Sequence, residues 1–232
     1  MLSALLSVET IAFDLWGYQI SWLECIGTIF NFAAVVLAAR RNIWTWPIGI
    51  IGVVLFGFLF YQINLYADMA EQGYYLITGI IGWYMWAGTS SRASAPTRSS
   101  NPVVIRNLSR TEYIWWITSI IVIGTALGIL LGRIHIYLPR VFPEPADLPL
   151  LDAITTTTAF AAQILMMQRK LQSWHLWIAL DIVAVGLYWY KQVPFVAVLY
   201  ALFLVNAIYG FKKWKAAVSH PATELTPTPQ LA

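Results

Sequence analysis

Residues 174–190 read WHLWIALDIVAVGLYWY. One ionisable carboxylate, Asp181, sits near the middle of this apolar run, and an acid at bilayer depth is costly enough to count as a functional-site candidate by default. At helical spacing Trp174, Trp177 and Asp181 are i, i+3 and i+7, so two indoles and a carboxylate share one face. Such a face suits a flat, polar, cationic guest, because indole faces attract cations. The alternative has one indole as an interfacial anchor and the acid satisfied by a neighbouring helix.

Around this stretch the composition sets the class. Of 232 residues, 59% are hydrophobic and 11% charged, with mean hydropathy +0.66; a soluble domain carries about a quarter charged residues. The chain therefore reads as an all-α polytopic membrane protein. The first basic residue is Arg40, so the N-terminus lacks the basic stretch of a secretory signal, and all spans are expected in the mature protein. The single Cys25 excludes an intrachain disulfide and a cysteine-built metal site.

Seven segments have crossing length: 22–39, 43–62, 71–88, 113–132, 152–168, 174–190 and 194–211. Residues 1–20, apolar but interrupted by Glu9, Asp14 and Gly17, read as a short peripheral helix. Of the 14 Lys and Arg, Arg40, Arg41, Arg92, Arg98, Arg106, Arg110, Arg169, Lys170, Lys212, Lys213 and Lys215 fall on one side, and only Arg133, Arg140 and Lys191 on the other. The positive-inside rule then puts the N-terminus outside and the C-terminus in the cytoplasm.

The chain also repeats at a constant offset of 128 residues: Glu24 falls on Asp152, Thr28 on Thr156, Arg41 on Arg169, Trp46 on Trp174, Phe60 on Tyr188, Gly82 on Gly210 and Trp86 on Trp214. Each half holds three helices, and 113–132 joins them. With one extra crossing between them, the halves are parallel repeats about an axis along the membrane normal, a 3+1+3 arrangement that places a substrate between the halves near mid-membrane. The expected organisation is a peripheral helix 1–20, a first repeat 21–88, a cytoplasmic linker 89–112, the joining helix 113–132, an outer loop 133–149, a second repeat 150–215 and a disordered Pro/Thr-rich cytoplasmic tail 216–232.

Polar stripes mark the candidate site. Glu24, Thr28 and Asn31 share a face of 22–39, and Asp152, Thr156 and Gln163 a face of 152–168. The Thr155–Thr158 run reads instead as hydrogen bonds joining helices. Gln72, Tyr75 and Gly79 line the third helix; their repeat mates are Tyr200, Phe203 and Ala207, with Asn206 close by. Val53 stands where Asp181 stands, and Phe60 where Tyr188 stands, so the frame is symmetric and the pocket lopsided, as an asymmetric ligand requires. His135, His175 and His220 have no metal-ligand spacing, and no catalytic Ser/His/Asp set, phosphate loop or nucleotide fingerprint is present, so neither enzyme, metal, cofactor nor nucleic-acid partner is expected. Most Trp and Tyr read as interfacial belt residues, Trp44 and Trp86 at helix ends among them.

The segments WLECIGTIF (22–30), LYADMAEQGYYLITGIIGWYMW (65–86), WHLWIALD (174–181) and GLYWYK (186–191) resemble the PnuC family of nicotinamide riboside transporters. The resemblance implies a fold like that of the SWEET sugar transporters, a homotrimer in the bacterial inner membrane, and facilitated diffusion of a vitamin-like nucleoside that a cytoplasmic kinase then traps for NAD synthesis. It also implies substrate-facing roles for Trp174, Trp177 and Asp181, in a W-x-x-W-x-x-x-(N/D) motif, and for Gln72. Glu71 departs from the family's usual apolar residue. Thiamine or another aromatic vitamin is the alternative substrate within the same mechanism; a non-transporting membrane scaffold and an integral membrane enzyme are the alternatives from other classes.

Overall fold

A computed structural model describes residues 5–15, 17–90, 104–140, 147–192 and 194–219. Among them are seven helices: α1 (Trp22–Ala39), α2 (Thr45–Gln62), α3 (Tyr66–Ser90), α4 (Arg110–Tyr137), α5 (Pro149–Met167), α6 (Ser173–Tyr190) and α7 (Pro194–Ser219). Most of the expected linker, and the tail beyond residue 219, lie outside the described residues. α7 itself runs to Ser219, so the first residues of that tail continue the helix.

Five helices, α1, α2, α4, α5 and α7, are long and apolar enough to cross a membrane. The other two expected spans, α3 and α6, carry Asp68, Glu71 and Gln72, and His175 and Asp181, respectively. Asp181 and Glu71, candidate site residues, are among the side chains that lower their hydropathy.

The expected helix over residues 1–20 is overturned between residues 11 and 20. Two strands, β1 (Ile11–Leu15) and β2 (Tyr18–Ser21), pair antiparallel there, with Leu15 opposite Tyr18. Ile11, Phe13 and Leu15 alternate with smaller or polar residues, which is strand rather than helix periodicity. The reversal is closed by Asp14, whose carboxylate accepts from Gly17 N–H at 2.9 Å, and by Gly17 at φ +85°. The hairpin leads directly into α1, where the Ser21 side chain caps the helix by accepting from Glu24 N–H at 3.1 Å. α4 opens on a full capping box, Ser109 with Glu112.

The 128-residue offset recurs in three dimensions. Among the described residues, the four non-glycine positions with positive φ form two mated pairs, Arg41 (58°) with Arg169 (61°), and Asn64 (60°) with Gln192 (59°). Each closes a helix in left-handed conformation, returning a backbone N–H to a carbonyl of the last turn, as in Asn42 to Leu37 and Lys170 to Leu165. A Cβ on Gly82 would lie 2.5 Å from the Trp46 ring, and one on Gly210 2.6 Å from the Trp174 ring, so each indole needs the bare backbone beneath it.

Packing between the halves has the same symmetry: α1 lies on α7 and α3 on α5, contacts that the offset interchanges, while α4 packs along α5. Asn206 Nδ2 donates to Val35 O at 3.1 Å, and at the mated positions Gln163 Nε2 reaches Thr78 Oγ1 at 3.5 Å. The buried apolar clusters gather at the end of the bundle that carries Arg40, Arg41, Arg169 and Lys170.

Candidate functional site

The shared face of α6 divides along its length. Trp174 is 2% exposed, lies on Gly210 and meets Trp214 edge-to-face at 5.5 Å, so its ring belongs to the packed basic end. Trp177, half-buried, borders both apolar clusters. Asp181 is about 10 Å along the helix from Trp174 at 1.5 Å per residue. It is 6% exposed, and among the described residues no hydrogen bond or ion pair reaches it. A buried carboxylate left in this state costs free energy unless a ligand or water meets it.

Aromatic side chains gather further along α6, beyond Asp181. Tyr188 stacks on Tyr200 at 5.4 Å with 10° between the rings, and Tyr200 meets Phe203 at 6.0 Å. Asp181, Glu71, Asp68 and Tyr188 all act electrostatically on the Tyr200 hydroxyl, and Tyr200 and Glu71 act on that of Tyr75. Tyr188 and Tyr200 thus touch between α6 and α7, and Asp181 of α6 and Tyr75 and Glu71 of α3 lie within electrostatic reach of Tyr200 or of one another. No ion pair among the described residues neutralises Asp68, Glu71, Asp152 or Asp181. The recorded pair, Lys170 with Glu112 at 3.5 Å, lies at the basic end.

Other expected residues are placed differently. Asn31 is pressed against α2, where a Cβ on Gly52 would lie 2.5 Å from its Oδ1. Asn206 is committed to the α7–α1 contact. Gln72 is half-buried on α3, facing Gly57 of α2. Thr28 is half-buried on α1. The threonine run does not join helices: Thr155, Thr157 and Thr158 donate to the carbonyls four residues back, at 2.9, 2.7 and 2.6 Å. Thr156 lines an apolar cleft between α4 and α5, beside Trp116 and Phe160.

Two features escaped the sequence. Tyr74 stacks on Phe160 at 3.9 Å and its hydroxyl donates to Phe160 O at 2.8 Å, tying α3 to α5 beside Tyr75. Tyr18 in β2 donates to Glu24 Oε1 at 2.8 Å, and burial together with that bond pushes the phenol up to about 12. The hairpin is anchored by Gln62, whose amide accepts from Val8 N–H and donates to Leu6 O.

A bundle of two similar halves, with an unpartnered carboxylate and a tyrosine cluster between them and apolar helices of membrane length around them, defines a membrane transporter for a small molecule. Sequence comparison makes this specific: the chain belongs to the nicotinamide mononucleotide transporter family, whose profile matches residues 21–216. It is similar to the nicotinamide riboside transporter PnuC of Escherichia coli K12, 27% identical over 85% of this chain and 87% of that protein. It is likewise similar to the riboflavin/roseoflavin transporter RibM of Streptomyces davaonensis, 24% identical over 88% of this chain and 89% of the other. The fold matches the crystal structure of the vitamin B3 transporter PnuC with a TM-score of 0.62, at 22% identity, over 86% of this chain and 83% of that one.

Proposed function

We propose that the chain carries nicotinamide riboside across the bacterial plasma membrane by facilitated diffusion, for NAD synthesis, with phosphorylation inside the cell trapping it. Seven crossings in a 3+1+3 arrangement of parallel repeats frame the path, with the N-terminus outside, the C-terminus cytoplasmic and three copies assembled as a homotrimer. The observation that carries the reading is Asp181, buried without a partner among the described residues and within electrostatic reach of Tyr200, which stacks on Tyr188 about two turns further along α6. A ribosyl hydroxyl supplies the missing donor, and the pyridinium ring, a flat cation, suits a tyrosine cluster with four unneutralised acids around it. Trp177 and Gln72 complete the contacts. Trp174 holds α6 in register from the packed end, and Asn31, Thr28 and Asn206 support the frame.

Another aromatic vitamin, thiamine or riboflavin, is the second reading, favoured by the similarity to RibM. Titration calorimetry on the purified protein with the three ligands side by side tests the choice. Nicotinamide riboside binding at least about tenfold more tightly, a difference of about 1.4 kcal/mol, is the expected result; a preference for either other vitamin overturns the substrate and leaves the mechanism.

A further inference from the structure

We propose that the basic end of the bundle is closed by a tryptophan gate, built from Trp46, Trp86, Trp174 and Trp214, that must part for the carried molecule to reach the cytoplasm; this rests on the transporter reading above. The four rings form a chain across the pseudo-two-fold axis. Trp46 meets Trp86 at 5.3 Å and 88°, Trp86 meets Trp214 at 6.2 Å and 49°, and Trp214 meets Trp174 at 5.5 Å and 87°. The outer two contacts are edge-to-face and interchange under the 128-residue offset, and the central one lies where the halves meet.

Two hydrogen bonds latch the chain, and both cross between the halves. Trp86 Nε1 of α3 donates to Met167 O at the end of α5, and Trp214 Nε1 of α7 donates to Ala38 O at the end of α1, each at 3.1 Å. Trp86 and Trp214 are 0% exposed, so the seal is dry. Ala38, Ala39 and Ala207 supply the small surfaces the rings close on, and Ile105 and Leu171 pack into the same cluster. The Ile105 segment is strapped over the α5–α6 turn by mutual backbone bonds between Arg106 and the turn, to Arg169 and from Leu171.

The closed arrangement also carries a defect. The indole N–H groups of Trp46 and Trp174, mates in the repeat, are buried with no acceptor among the described residues. An orphaned buried donor raises the energy of the state that contains it. The seal is thus held by two bonds and apolar contact, against two unsatisfied donors, which brings closed and open states nearer in energy, as an alternating-access carrier requires. Trp86, read from the sequence as a belt residue, is the centre of the device.

Cysteine labelling tests this without any substrate. In a Cys25→Ser background, Ala207→Cys reports from inside the seal and Ala153→Cys, 0% exposed in α5 at the far end, reports from outside it. A membrane-impermeant maleimide is applied to the cytoplasmic face of inverted vesicles. Trp86→Phe and Trp214→Phe keep an aromatic ring and remove the N–H, and each lost bond shifts opening by about fivefold. The double variant should therefore label Ala207→Cys at least about tenfold faster, a shift of about 1.4 kcal/mol in opening, with Ala153→Cys unchanged. An unchanged rate at position 207, an equal rise at position 153, or labelling from the outer face alone overturns the gate. A wrong substrate assignment would appear separately, as absent binding of nicotinamide riboside to the unaltered protein.

Discussion

An ionised carboxylate at the centre of a crossing helix costs about 2.5–3.5 kcal/mol on insertion scales, and Asp181 has no protein partner among the described residues to offset it. Its proposed use is as an acceptor for a substrate donor, which a neutral amide can replace. Asp181→Asn should keep binding within about tenfold, about 1.4 kcal/mol. Asp181→Ala should lose more, because a buried substrate donor left unpaired costs about 1–3 kcal/mol. Calorimetric titration of both variants decides it: equal losses would make charge pairing the dominant contact, and no loss would move the site elsewhere. The two indoles of the motif should separate in kind. Trp177→Ala weakens binding by up to about 2 kcal/mol through its lost cation–π contact, whereas Trp174→Ala lowers stability by about 3–5 kcal/mol because its ring fills the packed end. Thermal unfolding beside the titrations distinguishes loss of fold from loss of affinity.

At the scale of the elements, the Trp-on-Gly contact is the unit each half repeats. Gly82→Ala and Gly210→Ala should each destabilise by about 1–3 kcal/mol through overpacking, and by matching amounts, since the added Cβ meets its indole at 2.5 and 2.6 Å. Gly73→Ala in α3, with nothing within 4 Å of its Cβ, is the control and should be neutral or stabilising. Thermal unfolding of the three variants in detergent checks this; a large difference between the first two would break the equivalence of the halves. The repeat was legible in the sequence because Trp, Gly and Arg recur at one offset and each needs its neighbour inside its own half. The hairpin was not, because strands of five and four residues leave a short period-2 signal inside an apolar run. The threonine back-bonds were equally hidden: a hydroxyl that bonds its own helix and one that bonds a neighbour have the same sequence. So were Trp86 and Trp214, since a tryptophan at a helix end reads alike whether it meets headgroups or the partner half. Asp181 was legible as a candidate from its cost alone, but its nearness to Tyr200 depends on how α7 packs on α6, which no local pattern encodes.

For the whole molecule, the skewed distribution of Lys and Arg makes orientation testable. Reporter fusions at residues 100 and 232 should both report cytoplasm, and a periplasmic signal from either would contradict the topology. The candidate site has one unpartnered acid near the middle of a helix, Asp181 on α6, while Asp68 and Asp152 lie in the first turns of α3 and α5 and Glu71 in the second turn of α3, so its acids are spread along the path and not gathered into a cage for a dehydrated coupling ion. Downhill movement needs only that the Asp181 site face each side in turn. Counterflow measures that most directly: proteoliposomes loaded with unlabelled nicotinamide riboside, with no ion gradient or membrane potential, are placed in a trace of labelled substrate. Transient accumulation of label, undiminished by a protonophore and abolished by Asp181→Ala, is the predicted result; no exchange, or accumulation that appears only with an imposed proton or sodium gradient, would contradict facilitated diffusion.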